Sequence, residues 1–383
     1  MHVTTTRWER ESGWSRSLSE VGHPVHLQIF FSARDLIEVA DSPWRDLLKA
    51  HPDALCVGCS TAGEISGEHV VDHSITAALV GFATTVVRSA LAPVSCSEAS
   101  QEAGVALADQ LARPDLRHVW ILSDGTTVNG TALIRGLREK LSSSIPLSGG
   151  LAADGARFES TCVVRGSEVR RGHVLGLGFY GDDLVVTHGF AGGWSPFGPK
   201  RRITGSAGNV LYTLDDQPAL ELYKRYLGER AGGLPATGLL FPLQLLPDRS
   251  FDNGTVRSIL GIDEARQSLT FAGDMPIGRY VRLMRASADE LIEGAERAAN
   301  NSALPEGIPR PLLALLVSCV GRRWVMGQRV DEEVEAALAR LPEGTKATGF
   351  YSYGQISTGA SALDCDLHNQ TMTLTVFAEK AQK

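Results

Sequence analysis

The sequence predicts an α/β protein of mixed α+β type, with two related halves built from strand–helix–strand repeats, mixed sheets and glycine-rich turns. The main observation is a pattern that occurs three times: an apolar strand ends in serine, a helical segment follows, and a second strand leads into glycine. The serines are Ser32, Ser123 and Ser318, and the glycine follows 26, 26 and 31 residues later. This spacing is typical of a crossover between two parallel strands.

Composition is the second observation. A chain of 383 residues with 43% hydrophobic and 21% charged residues is typical of a globular protein with two or three domains. The net charge is −7 and only the short basic run at 200–202 stands out, so we expect no nucleic-acid partner. No apolar stretch could span a bilayer and the first twenty residues carry no signal-peptide core, which predicts a cytoplasmic location. Six cysteines without a second Cys-x-x-Cys pair predict neither a disulfide scaffold nor a metal site.

The individual helices and strands are predicted from the spacing of apolar residues and from the glycines and prolines that interrupt regular structure. Ser287 with Glu290 three residues later predicts a capping box at the start of a helix. Helices are predicted where apolar residues recur every three or four positions, at 36–50, 98–111, 130–141, 218–227 and 287–299. Besides the strands of the three copies, strands are predicted at 74–82, 85–91, 161–165, 174–180, 184–191, 210–214, 256–262, 268–271, 278–284 and 371–377.

Glycine and proline at high density divide the chain. Residues 192–200 contain three glycines and two prolines, which break both helix and strand, so we predict a linker there. The polar residues 1–24 are predicted to be a loose lead-in segment. The remaining ranges, 25–191 and 201–383, are the two predicted domains.

The turns that end the first and third copies align without a gap. The segments 58–66 and 349–357 share two glycines, an isoleucine, a serine, and an acid or amide at Glu64 and Gln355. Such turns offer backbone N–H groups beside polar side chains, which suits a small polar or zwitterionic ligand. Glu64 could bind an ammonium group, and Arg322 could bind a carboxylate or form a surface salt bridge.

Several motifs resemble those of one family, the FIST domain proteins, over about residues 25–378. The resemblance makes 25–191 a FIST N-like domain and 201–383 a FIST C-like domain. The motifs that are similar to FIST N and its junction lie at 58–65, 147–154 and 193–199, and those similar to FIST C lie at 318–322, 349–354 and 367–371.

The resemblance implies a non-enzymatic sensory module that binds a small polar ligand, with an amino acid as one candidate. It also implies signalling through a separate partner, such as a histidine kinase or a cyclic-dinucleotide enzyme. The chain departs from the family at Gln355, where the FIST C turn usually carries glutamate. Turns and motifs together predict a ligand site formed by Cys59, Ser60, Thr61, Glu64, Gly149, Gly150, Cys319, Arg322, Tyr351, Tyr353, Gln355 and Asn369.

Two alternatives stay open. Some members of the family are haem proteins that sense nitric oxide, and His173, His188, His368 or Cys59 would then be the iron ligand. A hydrolase or thiol enzyme would use Ser60 or Cys59. The glycine spacing around Ser60 is one residue too long for a nucleophile elbow, and no helix is predicted after it.

Overall fold

The computed structural model describes residues 1–252, 254–358 and 365–381. These residues form four β-sheets together with α-helices and short 3₁₀ helices, which confirms the predicted mixed α+β class. Sheets 1, 2 and 3 each contain the parallel strand pair of one copy of the repeated pattern. Sheet 4 is purely antiparallel and contains none of the copies.

Within each sheet, neighbouring strands pair in the following order from one edge to the other. Sheet 1 comprises Glu168–Arg170, Val163–Arg165, Leu55–Thr61, Leu27–Ala33, Ile75–Gly81, His2–Glu9 and Gly13–Trp14. Sheet 2 comprises Cys365–His368, Gly354–Thr358, Leu147–Leu151, Leu116–Ser123, His173–Tyr180 and Val86–Pro93. Sheet 3 comprises His69–Val71, Glu64–Ser66, Lys346–Ser352, Leu313–Cys319, Met372–Glu379 and Leu184–Ala191. Sheet 4 comprises Thr255–Arg257, Leu243–Leu246, Tyr280–Arg285, Ser195–Ala207, Val210–Leu214, Ser268–Phe271 and Ile259–Asp263, with Gln217–Pro218 beside Val210–Leu214.

The helices agree with the sequence in most places. Ser287 and Glu290 form the predicted capping box of the helix Ala288–Asn301. The helix predicted at 36–50 is instead two short helices, because Pro43 lacks an N–H and interrupts the helical hydrogen bonds. None of the helices in the described part of the chain is both long and apolar enough to cross a membrane. The α-helices are Arg34–Ile37, Arg45–Ala50, Ser100–Leu111, Gly130–Lys140, Ala219–Leu227, Ala288–Asn301, Val320–Met326 and Val330–Leu338, and the 3₁₀ helices are Ser97–Ala99, Gly228–Gly233, Ala236–Leu240 and Gly327–Arg329.

Sheets 1, 2 and 3 share one strand order. In each sheet the two parallel strands of a copy lie side by side, an antiparallel strand flanks the first of them, and an outer strand follows. Each copy also lends a strand to another sheet. The strand Glu64–Ser66, which follows the first copy, pairs in sheet 3. The strand Gly354–Thr358, which follows the third copy, pairs in sheet 2, and the strand Val163–Arg165, which follows the second copy, pairs in sheet 1. The exchange closes a ring of three equivalent units.

The three sheets enclose a common apolar core. Phe31 of sheet 1 stacks on Phe350 of sheet 3 with ring centroids 4.7 Å apart. Trp120 of sheet 2 meets Phe377 of sheet 3 edge to face at 6.4 Å. A Cβ added to Gly150 would lie 2.7 Å from the Val317 side chain. The centre of the ring is therefore filled with side chains at this level.

Two segments predicted to lack regular structure contain strands. The lead-in predicted at 1–24 includes His2–Glu9, rich in β-branched residues, which pairs with Ile75–Gly81. The linker predicted at 192–200 includes the start of Ser195–Ala207. A shift of register between Phe197 and Arg201 accommodates the intervening glycine and proline. The domain boundaries stay predictions.

Sheet 4 is an insertion in the third copy. In the second copy only the short 3₁₀ helix Ser97–Ala99 separates the outer strand Val86–Pro93 from the helix Ser100–Leu111. In the third copy sheet 4 follows the outer strand Leu184–Ala191 and precedes the helix Ala288–Asn301. Sheet 4 lies against the second copy, along the loop 124–128 and the helix Gly130–Lys140. We call this contact surface the seam.

Glu379, at the end of the strand Met372–Glu379, binds the turn at 83–85. Its carboxylate accepts the N–H groups of Ala83, Thr84 and Thr85 at 2.7, 3.1 and 2.9 Å. Burial alone would raise the pKa of Glu379, but the hydrogen bonds outweigh it and lower the pKa to about 2. Because the folded pKa lies below the unfolded one, this stabilisation is present at neutral pH and is lost as the pH falls from about 4.5 towards 2.

We expect Glu379→Gln to lower the free energy of unfolding by about 2 kcal/mol at pH 7, because an uncharged amide binds the three N–H groups less well. Urea unfolding at pH 7 and pH 3 measures the effect, which should be smaller at pH 3. The exposed Glu335 is the control, and Glu335→Gln should change little at either pH. A loss from Glu379→Gln that is equally large at both pH values would contradict the charge-based explanation.

Candidate functional site

The turns that follow the parallel strands converge, but they pair with one another in the interior. Ala62 N donates to Tyr351 O at 2.8 Å, which joins the first copy to the third. Tyr353 N donates to Leu151 O at 3.2 Å, which joins the third copy to the second. Ala153 N donates to a carbonyl of the first copy at 2.9 Å and completes the ring. Backbone donors that were predicted to face a ligand are therefore used inside the fold.

The glycines of these turns are explained by the close approach of neighbouring backbone. A Cβ at Gly349 would collide with the carbonyl oxygen of Leu316 on the adjacent parallel strand. A Cβ at Gly149 would collide in the same way with Ile121, and Gly149 also has a φ of +138°. Packing of the two parallel strands thus requires glycine at these positions.

Glu64 and Gln355 occupy equivalent buried positions and make equivalent bonds. Glu64 Oε2 accepts from Ser74 N at 3.1 Å and from Ser74 Oγ at 2.7 Å, and Oε1 accepts from the Thr61 hydroxyl. Gln355 Oε1 accepts from N and Oγ1 of Thr371, and Nε2 donates to a serine hydroxyl at 2.6 Å. Burial raises the pKa of Glu64 to about 7, although its hydrogen bonds oppose the shift. Both side chains therefore serve to close a turn.

Arg322 is fully buried and its donors have partners within the chain. Nε and Nη2 donate to Glu333 Oε2 at 2.9 and 2.7 Å, and Nη1 and Nη2 donate to the carbonyls of Gly192 and Leu291, both at 2.7 Å. Glu333 Oε1 in turn accepts from Tyr351 at 2.5 Å. The prediction of a surface salt bridge is wrong, since this ion pair is buried, and the guanidinium is not available to a carboxylate ligand in this arrangement.

Tyr353 lies between the interior and the seam. Its hydroxyl donates to Asp154, a buried carboxylate that also accepts the N–H groups of Phe158 and Ser160 at 2.9 Å. The Phe158 ring stacks on the Tyr353 ring with centroids 4.3 Å apart. Asn369 Nδ2 donates to Tyr353 O at 3.0 Å. Among the predicted site residues, Tyr353 is the one whose side chain supports a wall of the seam.

The remaining predicted site residues are also buried. Burial raises the pKa of Cys59 well above its usual value and also raises that of Cys319. The Ser60 hydroxyl accepts from Cys162 N at 3.1 Å. Neither Cys59 nor Ser60 thus has the features of an activated nucleophile. The twelve predicted residues lie in packed interior, where a ligand could contact them only if that interior opened.

A cavity of about 190 Å³ lies in the seam, and we call it cavity A. One wall is the loop 125–128, which follows the parallel strand Leu116–Ser123, together with Phe158. The opposite wall comes from the sheet 4 strands Ile259–Asp263 and Ser268–Phe271. A cavity at the carboxyl end of a parallel strand, between two structural units, is where α/β proteins commonly bind ligands.

The loop wall of cavity A is held rigidly. Asp124 Oδ1 accepts the N–H groups of Thr126 and Thr127 at 2.9 and 2.8 Å. Gly125 N donates to Thr161 Oγ1 at 2.8 Å, and a Cβ at Gly125 would lie 3.0 Å from the Tyr353 ring. The loop is therefore fixed by its own hydrogen bonds and packs closely against Ala152 and Tyr353.

Sequence reasoning missed the residues of cavity A. The segment 124–127, Asp-Gly-Thr-Thr, has a turn signature directly after an apolar strand, and the rule that ligands bind at carboxyl ends of parallel strands could have selected it. The other wall lies more than 130 residues further along the chain, at 259–271, and no local pattern indicates that it faces this loop.

The residues named for a haem lie elsewhere. The His368 ring stacks on Phe190 with centroids 4.0 Å apart, and His173 Nδ1 bonds to Arg171 O at 2.7 Å. His188 lies on the outer strand of sheet 3. Neither these three histidines nor Cys59 lines cavity A.

Comparison with known proteins agrees with the motifs. The FIST N domain model matches residues 26–217 and the FIST C domain model matches residues 219–358. An uncharacterised protein of Methanocaldococcus jannaschii is 27% identical over 203 residues, which are 48% of this chain and 37% of that protein's length.

Two solved structures are similar only at a low level. The crystal structure of cyanuric acid hydrolase from A. caulinodans gives a TM-score of 0.34 at 10% identity and 99% coverage of both chains. PurLQS from Thermotoga maritima gives a TM-score of 0.18 at 9% identity, covering 94% of this chain and 68% of the other. FIST domains are sensory domains implicated in small-ligand binding and signal transduction. With both domain models matched in succession, the chain belongs to the FIST family.

Proposed function

We propose that this protein is a non-enzymatic sensor that binds a small polar ligand in cavity A and signals through a separate partner protein. The observation that carries the proposal is the composition of the two walls. The loop 125–128 and Asn209 lie within the FIST N match, whereas Gly261 and Phe271 lie within the FIST C match. A ligand in cavity A would therefore couple the two matched regions to each other.

The lining indicates the chemistry of the ligand. Apolar surface comes from residues such as Phe158, and the polar side chains are those of Ser97, Thr126, Thr127, Asn209 and Thr270. Among the described residues, those that line cavity A carry no formal charge. Hydroxyl and amide groups favour a neutral polar ligand over a zwitterion, because an unpaired charge is costly in such a site. A volume of about 190 Å³ equals roughly six water molecules.

A route for the signal follows from the contacts behind the cavity. Phe158 lines cavity A and stacks on Tyr353, whose hydroxyl bonds to Asp154 in the ring of turns. Displacement of Phe158 by a ligand would shift Tyr353 and so the pairing between the second and third copies. Such a shift would present a changed surface to the partner, for which a histidine kinase or a cyclic-dinucleotide enzyme is the candidate that the family suggests.

Calorimetric titration of the purified protein tests the proposal. The probes are small amino acids, as the family suggests, and their neutral N-acetyl amides. We expect saturable binding of at least one probe, with the neutral form preferred. At a ligand concentration one hundred times Kd, the bound probe should raise the free energy of unfolding of the protein by about 2.7 kcal/mol. Absence of binding by every probe would count against the proposal.

Gly261→Leu is the variant that blocks the cavity. Gly261 lines cavity A, and a Cβ there would lie 3.8 Å from Thr270 Cβ, so a larger side chain can enter without backbone strain. We expect this variant to fold and to lose binding. Gly232→Leu is the matched control, because Gly232 is exposed with open space around it. Unchanged binding by Gly261→Leu would place the ligand elsewhere.

A further inference from the structure

Three side chains join the two walls of cavity A, and we call this cluster the latch. It consists of Asn129, Arg135 and Asp274. Asp274 Oδ1 accepts from Asn129 Nδ2 at 2.7 Å, and Asp274 Oδ2 accepts from Arg135 Nη2 at 2.9 Å. Asn129 directly follows the loop 125–128, and Asp274 lies three residues after Phe271 of the opposite wall. The latch therefore connects the ends of the two segments that line the cavity.

Asn129 is held firmly on the side of the second copy. Its backbone N–H donates to Ser100 Oγ at 2.9 Å, and its side-chain Oδ1 accepts from Ala132 N at 3.2 Å, which caps the helix Gly130–Lys140. Asn129 is only 5% exposed. Without the Asp274 carboxylate, Asn129 Nδ2 would lack an acceptor among the described residues in a buried position, which is costly.

Asp274 is held firmly on the side of sheet 4. The segment that carries it is fixed to a neighbouring turn, because Met275 N donates to Gly208 O and Phe271 N donates to Asn209 O, both at 2.9 Å. With an anchor fixed on each side of the seam, neither partner can follow the other if the two surfaces move apart. Separation of the walls must therefore break the latch.

The backbone also crosses the seam beside the latch. Gly130 N donates to Ala272 O at 3.2 Å. Gly273 has no room for a side chain, since a Cβ there would lie 2.5 Å from Thr131 Oγ1. The helix Gly130–Lys140 and sheet 4 are thus in close contact at this point, and the Gly130 amide reports directly whether the contact is closed.

The two bonds of Asp274 differ in their exposure to solvent. The Arg135 side chain is 54% exposed, so its ion pair with Asp274 is screened by salt and contributes little by itself. The bond from Asn129 Nδ2 is shielded, since Asn129 is almost fully buried. We therefore expect the hydrogen bond to Asn129 to contribute more to the latch than the ion pair does.

We propose that Asp274 is a positioning residue for cavity A. Its bonds to Asn129 and Arg135 set the separation between the loop 125–128 and the strand Ser268–Phe271, and loss of these bonds lets the two walls move apart. The effect on a ligand rests on the function proposed above, because it requires that cavity A binds one. The separation of the walls is a property of the protein without ligand and is measured independently.

Residue-resolved hydrogen–deuterium exchange of the protein without ligand tests the latch. In Asp274→Ala we expect the Gly130 amide to exchange about tenfold faster than in the unmodified protein, because the contact that protects it opens more often. Asp274→Asn keeps an oxygen that accepts from Asn129 Nδ2 and loses the charge that pairs with Arg135. It should therefore give a smaller increase.

Asp182→Ala is the matched control. It breaks an exposed ion pair with Arg117, at the start of the strand Leu116–Ser123, whereas cavity A lies beyond the end of this strand. Exchange of the Gly130 amide should be the same in this variant as in the unmodified protein.

Calorimetric titration with the cavity A probes gives the second measurement. A probe that binds the unmodified protein should bind Asp274→Ala about tenfold more weakly and should lose less affinity in Asp274→Asn. Unchanged exchange of the Gly130 amide in Asp274→Ala would overturn the assignment, as would unchanged probe affinity. An equal acceleration throughout the strand His2–Glu9 of sheet 1 would also overturn it, because the effect would then be global.

Failure of the proposed function can be told apart from failure of the latch. If no probe binds the unmodified protein, the ligand site in cavity A is contradicted, and exchange of the Gly130 amide alone decides whether Asp274 sets the separation of the walls.

Discussion

Replacing Glu333 with glutamine is expected to destabilise the folded protein by about 3–5 kcal/mol. The Glu333 carboxylate is fully buried and faces the fully buried guanidinium of Arg322 through two hydrogen bonds of 2.9 and 2.7 Å. It also accepts from Ser318 Oγ at 2.9 Å and from the Tyr351 hydroxyl. Glutamine would leave the arginine charge buried without a counter-charge, and its Nε2 donor would face either the guanidinium or the two hydroxyls that now share Glu333 Oε1.

Urea unfolding at pH 7 measures this effect, and two variants calibrate it. Glu332→Gln removes the neighbouring carboxylate on the same helix, which pairs with Arg329 at the surface. Its expected cost is at most about 1 kcal/mol. Tyr351→Phe removes one hydroxyl and should cost about 1–2 kcal/mol. If Glu333→Gln cost no more than Glu332→Gln, the buried ion pair would not be a main support of the fold.

The second large effect depends on pH. Burial raises the pKa of Glu64 from 4.5 to about 7 in the folded protein. The folded state therefore holds this proton more tightly than the unfolded state, and stability falls by about 3 kcal/mol as the pH rises from 4.5 to 7 and above. Glu64→Gln cannot ionise. Its stability relative to the unmodified protein should rise by about this amount between pH 4.5 and pH 8.

The third copy shows that glutamine fits such a position. Gln355 makes the equivalent bonds, with Nε2 donating to the hydroxyl of Ser352. In Glu64→Gln the Thr61 hydroxyl can accept in the same way, because a hydroxyl rotates to either role. The third copy thus carries the uncharged counterpart of Glu64 without loss of the turn.

The reverse substitution sharpens the test. Gln355→Glu places a carboxyl in the same kind of buried turn and should destabilise the protein increasingly as the pH rises. Glu68→Gln, at an exposed position, should change stability little at any pH. Unfolding free energies measured between pH 4.5 and pH 8 give both comparisons. A pH-independent difference between Glu64→Gln and the unmodified protein would show that Glu64 titrates normally.

Local patterns were sufficient for the repeated units. Serine at the end of an apolar strand, a helical segment and a glycine-bearing second strand do form a parallel pair in each copy, as in Leu27–Ala33 with Leu55–Thr61. The capping box at Ser287 and Glu290 is also present. These features depend on residues close together in the chain, so their physical causes can be read locally.

The exchange of strands could not be inferred in this way. Glu64–Ser66 pairs with a strand that lies nearly 300 residues further along the chain, and no pattern near either strand specifies this partner. The same exchange explains why the predicted binding residues are interior. Polar residues at the ends of parallel strands usually face solvent, whereas in this fold the ends of the three sheets face one another.

Composition and periodicity thus predicted the mixed α+β class and the three strand–helix–strand copies, and the motifs indicated the FIST family, which the domain models then matched. Only the tertiary structure showed which polar groups form hydrogen bonds within the protein and where cavities lie. Cavity A needs the loop 125–128 and strands of sheet 4 to face each other. Burial and electrostatic potential are properties of such long-range contacts, and neighbouring residues in the chain do not specify them.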